Sequence, residues 1–364
     1  MGSDRRRRHD LGATWLQLLT LGYPVTLDIA RLVRDYGDPA AEARACRTDC
    51  ALFDFSFMAR GRIRGPDAAA VLERFQSRPV ADMKAGTIRY AFRLGLDGAI
   101  EADITIWRHA DGSFELMSGR RADIAALADA ATPGATCTDM TDKTAILAVQ
   151  GPRALEALAP IGDVETLAAI PYFGHVWTAL AGVTCIVGRL GYTGERGFEI
   201  VADRNDAEAL RRAVSTRARP AGFAAADILR IEAGFILFVN ECRLRPTASA
   251  LGLEAFAPQA ATPSRIRLVS FTAAHAAVPS PWQPSPGLRP PHAQGEIAIT
   301  SVCESIVLGQ PLGLGFVRME DAQPAREVHD TAGRFAGLQL THRPPYDPCK
   351  KRPRGPWHRH ASPP

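Results

Sequence analysis

Three stretches of this chain combine residue types and spacings that could do chemistry. The first is Gly191-Tyr192-Thr193-Gly194-Glu195-Arg196-Gly197-Phe198-Glu199-Ile200. Gly191, Gly194 and Gly197 permit a tight turn, and Tyr192 offers a flat surface. Glu195 and Glu199 stand four apart, and Glu199 lies between Phe198 and Ile200. A carboxylate inside an apolar strand is costly unless paired. Glu199 therefore either faces solvent on an edge strand or accepts two hydrogen bonds from a planar heterocycle. The second stretch is Asp227-Ile228-Leu229-Arg230-Ile231-Glu232-Ala233-Gly234. On a helix Asp227, Arg230 and Gly234 share a face, and Arg230 either pairs with an acid or grips a ligand carboxylate with both arms. The third runs from Gly98 to Thr105. Strand alternation puts Glu101 and Asp103 on one face and Ile100, Ala102 and Ile104 on the other. The two carboxylates either face solvent or sit close enough to shift each other's pKa for acid–base work.

The elements that must position these residues are legible from periodicity. Residues 25–50 read as helical. Leu52–Met58 and Arg60–Arg64 alternate as strands, and Asp67 is placed to cap a helix over Ala68–Gln76. Ile88–Leu94 and Ile100–Trp107 read as a hairpin closed by Asp97-Gly98, with a second turn at Asp111-Gly112. A strand at Phe114–Met117 and a helix over Arg121–Ala131 follow. The rhythm returns with a strand at Thr144–Val149, a Gly151-Pro152 turn and a helix at Arg153–Leu158. Strands at Val183–Val187 and Gly197–Val201 flank the Tyr-Thr-Gly-Glu turn, with helices at Ala207–Ala213 and Ala224–Gly234. Residues 256–294 contain eight prolines and suit a linker or long loops. Short strands at Arg267–Phe271, Ile297–Ser301, Leu312–Val317 and Ala336–Leu340 then suggest a small barrel or sandwich. Residues 344–364 are Pro-rich and basic and read as a frayed tail.

Bulk properties narrow the class. At 364 residues the chain exceeds one ordinary domain, and 46% hydrophobic residues suffice for large cores. The net charge of +4 is gathered near the ends, in Arg5–Arg8 and around Lys350–Arg354, where it suits solvated tails better than a nucleic-acid surface. A secretory leader is not expected: Gln17, Thr20 and Pro24 interrupt the apolar run after Arg8. Neither is a membrane span. Seven scattered cysteines read as free thiols in a reducing cytoplasm, and no histidine–cysteine spacing suggests a metal. No glycine-rich dinucleotide or nucleotide-phosphate motif follows a strand.

The first two stretches, with Leu52–Ser56, Ala148–Pro152, Gly295–Ser301, Leu312–Val317 and Tyr346–Pro348, resemble the aminomethyltransferase family of the glycine cleavage system. That wider family includes folate-dependent demethylases and the folate modules of sarcosine and dimethylglycine dehydrogenases. The resemblance covers roughly residues 40–355. It implies an α+β, three-lobed folate-binding fold with a C-terminal β-barrel. It further implies a folate-binding region over 1–255, in which 51–140 is inserted between 1–50 and 141–255. The barrel with its Pro-rich linker takes 256–355, and 356–364 is a tail. The implied cofactor is tetrahydrofolate. Glu199 would hold the pterin, with Arg230, Tyr192, Glu195, Met58, Tyr90 and Tyr172 around it, and Asp103, helped by Glu101, would be catalytic. The family's transferases carry two adjacent aspartates where this chain has Ala102 and Asp103, and the Glu-x-Asp pattern looks more like the modules attached to flavin demethylases. The implied activity is therefore one-carbon transfer from a small-molecule donor, with O-, N- or S-demethylation, or folate binding without turnover, as alternatives. A lipoyl carrier or a flavoenzyme is the implied partner.

Overall fold

The computed structural model describes residues 7–8, 32–258, 263–274, 278, 284 and 287–357. The expected helical character of 25–31 and the tail 358–364 lie outside them. Beside a two-stranded pairing of Arg7–Arg8 with Val33–Asp35, three larger sheets, each with its own apolar cluster, meet at a fourth, shared core.

The first sheet has six strands in the order His175–Leu180, Val183–Gly188, Gly197–Asp203, Thr144–Gln150, Ala51–Asp54 and Arg219–Ala221. The second has five, in the order Thr87–Leu94, Ile100–Arg108, Phe114–Ser118, Ala59–Arg64 and Thr136–Asp139. The third is a closed barrel of Ile266–Thr272, Pro311–Arg318, Glu296–Glu304, Glu327–Asp330 and Leu338–Thr341. The shared core takes Phe53, Ile146 and Ile186 from the first sheet, Phe92, Trp107 and Met117 from the second, and Leu268, Leu314 and Phe316 from the barrel. The helix Phe223–Glu232 runs through it with every residue buried, so its Asp227, Arg230 and Glu232 must find partners inside the protein. Among the described residues no helix is long and apolar enough to cross a membrane.

Several local expectations change in the folded chain. The alternation of 52–58 is not one strand. After Asp54, Met58 N–H bonds back to Phe55 O at 3.0 Å and the chain crosses to the second sheet, while Phe53, Phe55 and Phe57 pack ring on ring. Asp67 does not cap its helix; its carboxylate accepts from Thr132 Oγ1 at 2.7 Å instead. Asp97-Gly98 is part of a longer turn, closed by Gly95 N–H to Ala99 O at 2.8 Å, and the pairing slips between Arg93 and Leu94. Glu101 is the extra residue of that bulge. The slip turns Ile100 into the shared core, whereas Ala102, Ile104 and Ile106 remain in the second sheet's own cluster. Residues 344–357 are not frayed: Trp357 stacks on Phe198 at 4.9 Å and 15°, and Tyr346 reaches Glu195. Long-range stacking of this kind leaves no local signal in a Pro-rich, basic segment.

Candidate functional site

Glu199 is set by the register of its strand. Phe198, Ile200 and Ala202 enter the first sheet's own cluster, so Glu199 and Val201 point to the shared core. The strand lies inside the sheet, with Gly188 and Ala148 opposite Glu199, and the side chain is only 7% exposed. Among the described residues Glu199 has no hydrogen-bond or ion-pair partner, and burial alone raises its pKa from 4.5 to about 7. The edge-strand alternative is thereby removed.

An unpaired buried carboxylate has a pH signature. Its folded pKa lies above its unfolded one, so its contribution is fully present below about pH 4.5 and is lost as pH rises through about 7. The rise corresponds to about 3 kcal/mol at most. Glu199→Gln therefore melts at a higher temperature than the unmodified protein at pH 8, and at the same temperature near pH 4.5. Equal melting at both pH values would contradict an unpaired Glu199.

The turn before Glu199 is held from both sides. A Cβ on Gly191 would collide with the side chain of Gln150, whose Nε2 donates to Leu190 O at 3.1 Å and Phe198 O at 3.3 Å. Gly194 has φ 80°, and a Cβ there would meet Ala233 Cβ at 2.7 Å. The turn thus seats on the C-terminal end of the buried helix. Tyr192 lies stacked on Phe235 at 6.1 Å and 19°, with its hydroxyl donating to Ile236 O.

Glu195 takes a different role from Glu199. It pairs with Arg47 at 3.2 Å and accepts from the Tyr346 hydroxyl. Arg47 also bonds Thr193 O at 2.8 Å and Glu232 at 2.9 Å, and Glu232 in turn accepts from Ser305 Oγ at 2.7 Å. The network ties the helix Pro39–Thr48, the turn and the barrel together. Removing Arg47, its buried cation, leaves Glu232 without an ion-pair partner and Glu195 with only the half-exposed Arg352 at 3.7 Å. Arg47→Met is expected to cost about 3–5 kcal/mol, read as a lower urea midpoint in equilibrium unfolding. A change below about 1 kcal/mol would refute the network's role.

Arg230 is engaged in the same manner. All three of its nitrogens are engaged inside the protein: they donate to Asp227 (2.9 Å), Phe235 O (3.1 Å), Glu241 (3.1 Å) and Ser301 Oγ (2.6 Å), and a second nitrogen lies 2.8 Å from Asp227. None is left for a ligand. Arg230 instead anchors Phe235, the ring under Tyr192.

The second sheet supplies the acid. Asp103 accepts from the Tyr90 hydroxyl at 3.2 Å, and Tyr90 packs edge-on against Phe92 and Phe256 at 5.4 and 5.2 Å. Burial raises the Asp103 pKa to about 6; the Tyr90 bond opposes this, and the charges of Asp123 and Glu241 add to it. Tyr90 and Tyr192 both feel the Asp103 charge, so the three form one cluster. Glu101 does not make a pair with Asp103: at the bulge it lies 3.4 Å from Arg93 Nε. Ala102 is buried among Ile104 and Ile106 on the opposite face from Asp103, so an acid missing at 102 takes no carboxylate from the Tyr90 side. Met58 packs partly buried against the shared core, but Tyr172 sits with Phe173 and the charges of Arg354 and Arg189.

Two groups escaped sequence reasoning. Lys350 Nζ stands 4.7 Å over the Phe235 ring, with its pKa pulled down to about 8 by burial and by Arg343 and Arg354. Cys242, its thiol pushed up by burial, lies within the electrostatic reach of Asp103. Both depend on contacts between distant segments.

The GCVT N-terminal domain model matches residues 7–259. An aminomethyltransferase of Saccharopolyspora erythraea is 28% identical over 343 residues, covering 87% of this chain and 92% of that one. A probable aminomethyltransferase of Halobacterium salinarum is 32% identical over 361 residues, covering 91% and 93%. The crystal structure of glycine cleavage system aminomethyltransferase T from Bartonella henselae superposes with a TM-score of 0.72 at 22% identity, over 90% of this chain and 96% of that one, a likeness of fold. The chain belongs to the GCVT aminomethyltransferase family.

Proposed function

We propose that this chain transfers a one-carbon unit to tetrahydrofolate, with Glu199 as the pterin anchor and Asp103 as the acid–base group. The carrying observation is Glu199, buried and without a partner on an inner strand. The amino-oxo edge of a pterin presents two adjacent N–H donors, which a carboxylate accepts together. That fit supplies the partner the strand lacks. Tyr192 and Met58 offer flat and adaptable apolar walls beside it. Tetrahydrofolate would bring a nucleophilic ring nitrogen as the one-carbon acceptor. The chain's own residues orient, exclude water and move a proton. With a pKa of about 6, Asp103 is mostly ionised at pH 7 and can take a proton from an amine; Tyr90 holds its second oxygen in place. No protein nucleophile is required; positioning and charge carry the rate.

The donor is a small molecule bearing an aminomethyl or methyl group, as the name of the relatives, aminomethyltransferase, suggests. It reaches the site free, on a lipoyl carrier or from a flavoenzyme. The half-buried Asp103–Tyr90 pair favours turnover over binding alone. Titration calorimetry with tetrahydrofolate tests the reading, and an unmodified protein that gives no binding heat overturns it.

A further inference from the structure

At the edge of the first sheet a groove of about 580 Å³ opens between the ends of the helices Pro39–Thr48 and Ala207–Ser215 and the start of the edge strand Arg219–Ala221. Arg44, Arg217 and Arg219 line it, all exposed, and among the described residues none of the three has an acidic or hydrogen-bonded side-chain partner. The one acid in the lining, Asp49, lies 3.6 Å from Arg153. Most of the other described arginines sit against a carboxylate, whereas the three along this trough are offset only by the weak negative poles of the two helix ends.

We propose that this groove docks an acidic segment of a partner protein. A compact anion suits it poorly. Two helices end there, and their negative poles oppose a charge concentrated at the floor. The hydroxyls that could coordinate such an anion are spent on their own helices: Thr48 on Arg44 O (2.9 Å), Ser215 on Arg212 O (3.1 Å) and Thr216 on Ala213 O (2.8 Å). An extended acidic segment instead spreads its carboxylates along the three guanidinium groups and keeps clear of the floor. The chain's own ends are excluded as occupants by charge, since Arg5–Arg8 and Lys350–Arg354 are basic, and a net charge of +4 disfavours a second copy.

The probe is a fluorescent peptide of eight glutamates, titrated by anisotropy against the full chain at low salt. Saturable binding is expected that weakens about tenfold or more in the triple variant Arg44→Glu, Arg217→Glu, Arg219→Glu, and also with added salt. Arg44→Glu alone should give a smaller loss. The variants should remain folded and keep tetrahydrofolate binding, and excess tetrahydrofolate should not displace the peptide. Three outcomes overturn the proposal: no binding by the unmodified chain, equal binding by the folded triple variant, or pyrophosphate that binds the groove as tightly as the peptide and displaces it.

Discussion

Alanine at position 199 is expected to abolish tetrahydrofolate binding measured by calorimetry at pH 7.5. Among the described residues this carboxylate has no protein partner, so the ligand's two N–H groups would provide its whole set of charged hydrogen bonds. At about 1.5–3 kcal/mol for each such bond, the loss is about 100- to 10,000-fold in affinity. Glutamine should be nearly as damaging, because its amide turns a donor toward donors. Binding should also release protons. With a pKa of about 7, a sizeable share of Glu199 carries a proton near neutrality, and accepting two N–H groups favours the ionised form. The binding heat should therefore vary with the ionisation heat of the buffer near pH 7, and that variation should fade at higher pH, where Glu199 is already ionised before the ligand arrives. A folded Glu199→Ala protein that binds as tightly as the unmodified one would sink the anchor role.

The second large effect is on rate. Asp103→Asn should keep tetrahydrofolate binding and lower kcat by about 100- to 10,000-fold, the usual range for a positioned acid–base group. The unmodified protein's rate should rise with pH through about 6 as Asp103 ionises, and the variant should lose that limb. Tyr90→Phe gives a finer check. The Tyr90 hydroxyl bond lowers the Asp103 pKa, so its removal should move the limb to higher pH with only a modest loss of rate. An unchanged kcat in Asp103→Asn would show that proton transfer at this position does not limit the reaction.

Much of the fold was legible in local pattern. Hairpin strands around Asp111-Gly112, the buried helix after residue 223 and three of the barrel strands all match their periodicity, because alternation and turn chemistry act between neighbours. The strands Thr136–Asp139, Arg219–Ala221 and Glu327–Asp330 were not legible. They are only three or four residues long, and they exist because strands from distant parts of the chain are there to pair with. Alternation also misled at Phe53–Phe57, where rings continue to point inward through a turn, and at Ile100, where one extra residue reverses the face.

The motif from Gly191 to Ile200 shows the division most clearly. Its residue order by itself determined a glycine-permitted turn, a strand after it and two candidate carboxylates, because these follow from backbone conformation and the period of a strand. Which carboxylate stays free was decided only by tertiary structure. Glu195 meets Arg47, which is 148 positions away, whereas Glu199 is carried by an inner strand into a core whose cations are already taken. The same holds for Arg230: a helix face predicts its pairing with Asp227, but Glu241 and Ser301 complete the set from the chain beyond. Charge pairing acts through space, so the order of residues can propose the chemical groups, and only the packing of distant segments determines which of them remain available.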